Sequence, residues 1–439
     1  MSESEHKQPT RQTSEGFVFV REVGGISEYT LVSNGLTVLV MENHTAPVAT
    51  VMVTYRVGSR NEAVGYTGST HILEHMMFKG SKNFNEENGK PFWKVIEGTG
   101  AELNGTTWYD RTNYYETVPV EHLEMAIAME ADRMRNVLLQ KSDLDTEMTV
   151  VRNEYESNEN DPSDALQKLI WSTAYQAHPY HHSTIGWKSD IENTNVERLR
   201  DFYDTFYWPN NATVTVLGDT NIEAALSLIK KYFGEHPSSP KPIPKMLVQE
   251  PKQEGQRRFI IRREASKTMV GVAHKTPPGI HEDTATLLVL VNILSAGKGS
   301  RFYRRFIDRG LATAVSIHSF PFHDNGLFEA YVTAAPGVKL ENLEKLIIAE
   351  YKSIQSKGIT AKELKRIKAQ VRASMLYQRD GTYSVAGEIN EAIAMGDWTM
   401  YTRLPEAIEN VTVADVQRVA ETYLVESQGT VGYFIPKNS

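Results

Sequence analysis

Two imidazoles and a carboxylate fall within five residues at His71-Ile72-Leu73-Glu74-His75. On a helix, positions i and i+4 lie one above the other on the same face, so both imidazoles can reach one ion. Glu74, adjacent to His75, can approach the open side of that ion and take a proton from bound water. A catalytic zinc normally has three protein ligands and one water, which demands a third donor. The chain of 439 residues contains no cysteine, so a carboxylate is the best candidate. Glu147 and Glu154 stand seven residues apart, which is two helical turns, and share a face. One can ligate while the other braces a histidine. Such a centre polarises a carbonyl and brings the pKa of coordinated water towards ~7. Glu74 would then pass the proton to a leaving amine, and the chemistry is peptide hydrolysis.

These residues need two helices and a sheet to hold them. Leu123, Ile127, Ala131, Met134 and Leu138 recur at spacings of three and four, which predicts an amphipathic helix, and a second runs from about Leu144 past Glu154. Asn34-Gly35 between the β-prone runs of Tyr29 to Met41 signals a hairpin. Val48 to Val57 reads as a further strand, and residues 1–25 as a flexible tail. Five prolines between Pro237 and Pro251 break every periodic pattern. They place a linker at 237–256, between a catalytic unit at 26–236 and a second unit at 257–439. The two sides look related. Val196, Leu199 and Thr213 match Val413, Val416 and Thr430 at a constant offset of 217, across a helix and the strand after it. A duplicated α+β unit is the economical explanation.

Composition narrows the classes. With 47 basic and 55 acidic residues the net charge is −8, which disfavours binding to a phosphate backbone, and nucleic acid is not an expected partner. The longest apolar run, Thr284 to Leu294, falls short of the ~18 residues that span a bilayer, so no membrane insertion is expected. The polar start lacks the apolar stretch of a signal peptide. A complete chain would therefore be cytoplasmic, and one that had lost a signal peptide would belong to a bacterial periplasm. Gly297-Lys298-Gly299-Ser300 hints at a phosphate loop, but Asn292 stands where the upstream glycine is required. His178, His181 and His182 surround Pro179 without usual zinc spacing and read as a loop with exposed histidines.

The text around the histidines resembles the pitrilysin (insulinase) family across nearly the whole chain. Val57 to Glu62, Gly68 and His71 to Gly80 (HILEHMMFKG) look like its active-site helix, in the H-x-x-E-H order of the inverzincins. Gly100 to Thr107, running on to Tyr114-Tyr115, is similar to its substrate-strand segment. Glu147 to Glu154 matches its distal glutamate helix. His178-Pro179-Tyr180, Ile185-Gly186, Asp190-Ile191 and Tyr207 to Asn211 match further points of the same domain. The resemblance implies one zinc ion on His71, His75 and Glu154, Glu74 as general base and Glu147 as an auxiliary acid. It implies that a peptide adds as a strand along Asn104, Gly105 and Thr106. It also implies two related α+β domains, each mainly antiparallel sheet flanked by helices, forming one half of a clamshell that a second subunit closes into a chamber.

One departure bears on that second subunit. Many relatives carry, in the second domain, an arginine and a tyrosine that contact substrate from the half opposite the zinc. Here those positions fall on Phe306 and Thr313, with Arg305 next door. The expected partner is therefore a related non-catalytic subunit that supplies the pair, with a homodimer as the runner-up. The expected activity is a zinc endopeptidase on short or unfolded peptides. A dedicated presequence or precursor processing peptidase and a non-catalytic scaffold subunit are the alternatives.

Overall fold

The computed structural model describes residues 14–437. Twelve strands form two sheets. The first has seven: β1 (Phe17–Val23), β2 (Ile26–Leu31), β3 (Thr37–Glu42), β4 (Val48–Tyr55), β5 (Glu102–Thr107), β6 (Thr112–Pro119) and β7 (Ala212–Gly218). The second has five: β8 (Arg257–Arg263), β9 (Met269–Lys275), β10 (Ala312–Ser319), β11 (Leu327–Ala334) and β12 (Thr430–Pro436). The first sheet runs β1-β2-β3-β7-β4-β6-β5 and the second β8-β12-β9-β11-β10. From β3 and from β8 onward the two orders are the same, and each has one parallel pair, β3 with β7 and β8 with β12. All other pairings are antiparallel, so the expected α+β class with mainly antiparallel sheets holds.

The duplication seen in the sequence is matched in local structure. Helices Val196–Phe206 and Val413–Tyr423 begin 217 positions apart, and each is capped by a side chain, Asn195 and Thr412. Each then leads through a short turn to the strand that makes the one parallel pair of its sheet, β7 or β12. Two readings change. The expected tail is shorter, because Phe17–Val23 pairs along β2 as an edge strand, and residues 1–13 lie outside the described residues. Its Phe17 and Phe19 pack against Tyr29, contacts between runs too short and mixed to register as periodicity. The Asn34-Gly35 hairpin forms with a longer loop than a two-residue turn. Asn34 is buried and donates to the carbonyls of Phe233 and His236, closing a helix end 199 residues away.

The interior strand β4 is buried almost throughout, which requires cover on both faces. Helix Leu123–Asn136 lies on one face. The other is covered by Thr382–Met395, which comes from beyond residue 256 and packs Val385, Ala386, Ile389 and Ile393 against Leu39, Met52 and Leu217. The reverse holds for the second sheet. Helix Pro162–Ala174 sets Leu166, Ile170 and Trp171 against Met269, Ala273 and Phe434. Each sheet is thus completed by a helix from the other stretch of chain. Between them, Glu250 accepts the N–H groups of Gln176, Ala177 and His178 and the Lys275 ammonium. Burial opposes its charge, but these bonds hold its pKa at about 2.

In the same interface Glu329 accepts from Trp171 Nε1 at 2.8 Å and from Tyr331. Burial pushes its carboxyl up to about 7 from an ordinary 4.5, against those bonds. Folding therefore takes up a proton between these values, and the stability conferred is complete below pH 4.5 and lost as pH rises through 7. Glu329→Gln keeps an oxygen for both donors and should flatten that slope, gaining roughly 2–3 kcal/mol over the parent at pH 8. Denaturant midpoints at pH 5 and pH 8 measure it.

Candidate metal centre and active site

The motif helix Ser69–Met76 starts at Gly68, whose φ of +87° favours glycine. The fully buried Glu62 carboxylate accepts the N–H groups of Gly68 at 2.9 Å and Thr70 at 2.7 Å, satisfying donors that a helix start leaves open. Burial raises the Glu62 pKa to about 8 against those bonds. Asp190 accepts the Thr67 N–H and hydroxyl, and Gly186 lies against Thr67 and Gly68 so closely that a Cβ would meet their backbone at 2.5 Å. The Ile185-Gly186 and Asp190-Ile191 segments thus act as a clamp on the start of this helix.

The second helix, Lys141–Asn160, ends at Asp161, whose carboxylate caps the next helix by accepting from Ser163 and Asp164, with Pro162 at its first position. That turn lets the first helix face the motif helix while the second crosses to the other sheet. The facing side chains converge. His71 Nε2 and His75 Nε2 are 3.2 Å apart, and Glu154 Oε2 lies 3.6 Å from the first and 3.8 Å from the second. These are the one cluster of potential metal ligands among the described residues. Tetrahedral donors at ~2.0–2.2 Å from zinc stand about 3.3–3.6 Å from one another, so the donor set fits such an ion.

Around these atoms the carboxylates divide. Glu147 Oε1 lies 2.7 Å from His75 Nδ1, and its other oxygen receives the Lys79 ammonium. Burial opposes charge on Glu147, but the bonds from Lys79 and His75 outweigh it and hold the pKa below the usual range. Glu74 is 9% exposed, accepts from the Thr107 hydroxyl at 2.5 Å, and has its pKa raised by burial despite that bond. Burial, with His75 alongside, lowers the His71 pKa to about 3, which keeps that ring neutral in the folded chain.

β5 is the edge of its sheet, with β6 on one side and no strand on the other among the described residues. Trp108 N–H bonds to Arg111 O, so alternation turns the main chain of Asn104 and Thr106 towards β6 and that of Leu103, Gly105 and Thr107 outwards. Asn104 is exposed and accepts the Gly105 N–H; Thr106 is exposed and bonds Asn113. Beside His71 and Glu154 opens a pocket of about 270 Å³ walled by Trp108, Tyr155 and Trp171. It adjoins a second of about 400 Å³ through Asp164 and Gln167, where Thr313 and His318 of β10 form the far wall.

The other sequence positions are resolved as follows. Phe306 is fully buried in the second core, Thr313 is exposed on β10, and Arg305 bonds Glu350 at 2.6 Å. The histidine loop is corrected: His178 and His182 are buried, His178 against Asp324 at 3.2 Å, with no metal cluster formed. Their exposure was misread because the partners come from segments far along the chain. Glu62, Lys79 and Thr107, each touching the motif helix or its residues, were not singled out. All three had a weak signal, lying in the quoted family segments, and Lys79 also continues the His71, His75 spacing of four.

A three-donor set that could hold a metal ion, with a buried glutamate beside it, stands on a doubled α+β scaffold. Residues 37–188 match the family model described as insulinase (peptidase family M16), and residues 193–371 match the peptidase M16 inactive domain. The chain belongs to this peptidase family. It is 31% identical to the zinc protease PqqE of Helicobacter pylori over 93% of either chain. It is 27% identical to the probable mitochondrial-processing peptidase subunit beta of Schizosaccharomyces pombe, over 90% of this chain and 88% of that one. The crystal structure of a protease from Helicobacter pylori superposes with a TM-score of 0.89 at 30% identity, covering 94% of this chain and 99% of the other.

The clamp at Gly186 has a direct test. Its φ is +83° and a methyl group would collide with the Thr67 backbone. Gly186→Ala should destabilise the fold by ~2 kcal/mol or more, whereas Gly98→Ala, which has nothing within 4 Å of its Cβ, should change it little. Thermal melting of the two variants compares them.

Proposed function

We propose that the chain is the catalytic subunit of a zinc-dependent endopeptidase acting on short or unfolded peptides. The convergence of His71, His75 and Glu154 beside Glu74 supports this reading most. His71 Nε2, His75 Nε2 and Glu154 would hold one zinc ion, which supplies a Lewis acid to polarise the scissile carbonyl. Glu147 fixes His75 with its Nδ1 proton outward, leaving Nε2 as a lone-pair donor, and Lys79 steadies Glu147 from the far side. Glu74 takes a proton from the attacking water and delivers it to the leaving nitrogen, a task that the raised basicity of a buried carboxylate suits. The Thr107 hydroxyl aims its carboxylate.

The outward main chain of Leu103, Gly105 and Thr107 would receive the substrate as an added strand, with Asn104 and Thr106 flanking it. Such pairing tolerates many sequences, which fits a peptidase rather than a single-substrate enzyme. A dedicated processing role uses the same centre, and similarity to a mitochondrial-processing peptidase subunit favours it. A scaffold role would not need the ligand set that the chain retains.

A partner subunit would close the chamber. Phe306 is buried, Arg305 is held by Glu350 and Thr313 is short, so this chain offers no arginine and tyrosine pair at these positions. The reading is a heterodimer with a related subunit that supplies both.

Glu74→Gln should keep the metal and lower turnover of a quenched peptide about 10²–10⁴-fold. Glu147→Gln should keep the fold and weaken zinc affinity about 10–100-fold in chelator competition. A parent chain that binds no zinc would end the enzyme reading. For the partner, the chain purified alone should show only a small part of the activity of the co-purified complex, and full activity alone would refute the heterodimer.

A further inference from the structure

Arg111 sits in the turn between β5 and β6, 9% exposed. Its guanidinium donates to the Thr106 carbonyl at 3.0 Å and to the Thr106 hydroxyl. The same group donates twice to Glu391 Oε1, from Nε at 3.1 Å and from Nη2 at 2.5 Å. Glu391 lies 280 residues later, on the helix Thr382–Met395. That helix is pinned to β4 by two buried bonds, Thr382 to Thr50 at 2.7 Å and Asn390 to Thr54 at 2.8 Å. Asn390 Nδ2 also reaches Glu391 Oε1 at 3.2 Å, so the carboxylate is oriented from its own helix. A chain of polar bonds therefore runs from β4, through a helix of the other stretch of chain, to the end of β5.

β5 has particular need of this. It is held by one neighbouring strand and must keep its other side open. A strand bonded along one side frays and slips more readily than an interior one, and a one-residue slip would turn every side chain to the opposite face. Thr106 and Thr107 are the residues nearest the centre: Thr107 bonds Glu74, and Arg111 grips Thr106 just before it. Movement of β5 would disturb both the pairing edge and the hydroxyl that aims Glu74.

We propose that Arg111 and Glu391 form a tether by which the second stretch of chain holds β5 in register for substrate, with both acting as positioning residues. The proposal rests on the reading of β5 as the edge that receives peptide. Glu391 is the better residue to change, since its side chain is 49% exposed and its loss leaves no large cavity; Arg111→Lys is the second variant.

In Glu391→Ala, hydrogen exchange of the 102–107 amides should quicken about fivefold, and KM should rise by a similar factor, as loss of a partly exposed charged hydrogen bond allows. The zinc affinity should stay as in the parent, kcat should fall by a smaller factor than KM rises because the bond from Thr107 to Glu74 is loosened and not lost, and Glu391→Gln should recover part of the exchange protection. Arg111→Lys should behave as Glu391→Ala, because an ammonium cannot span Thr106 and Glu391 as a guanidinium does. Unchanged exchange across 102–107 in both variants overturns the proposal, as does faster exchange with unchanged KM. A parent complex that cleaves no peptide instead overturns the peptidase reading, and exchange alone then decides the tether.

Discussion

Everything in the candidate centre depends on one crossing of helices, in which an eight-residue segment must present His71 and His75 to Glu154 across a gap shorter than a side chain is long. A helix that short has little stability of its own. Its start is therefore fixed by Glu62, Asp190 and the backbone contact at Gly186, and its far end by Lys79 on Glu147. Four glutamates lie in or against the motif and each makes different bonds. Glu62 accepts helix amides, Glu147 bonds the His75 ring, Glu154 faces both Nε2 atoms and Glu74 accepts the Thr107 hydroxyl.

Glu62, Glu74 and Glu147 are all buried, so bonding partners separate them. Glu62 and Glu147 have their oxygens bound by backbone amides or cations, so they are committed to holding structure. Glu74 has a hydroxyl for a partner, and burial raises its pKa as it does that of Glu62. Glu154 is the most exposed of these, with a side chain 43% exposed, and stands where the neighbouring pocket opens.

Much of this was legible in the sequence because it is local. Spacing of four put His71 and His75 on one face, and spacing of seven did the same for Glu147 and Glu154. The Asn34-Gly35 turn and the offset of 217 gave away a hairpin and a repeat. What could not be read is what distant segments do to each other. β1 has no pattern of its own and exists through pairing with β2. His178 looked exposed because Asp324 is 146 residues away. Arg111 has no local signal at all, since its partner Glu391 lies on a helix whose own periodicity says nothing about which sheet it will cover. Glu147 and Glu154 are equivalent by spacing. Their places against the motif helix separate them, Glu154 facing both Nε2 atoms and Glu147 facing Nδ1 of His75.

The traded helices, Pro162–Ala174 and Thr382–Met395, make the two sheets mutual lodgers. Severing the peptide backbone in the proline-bearing stretch near Lys241 would cut the covalent path between them yet leave each fragment gripping the other, as in a swapped dimer whose two arms happen to be fused. Either fragment alone would bare an apolar sheet face to water. The covalent connection is thus less a hinge than a leash that keeps two interdependent partners at equal concentration.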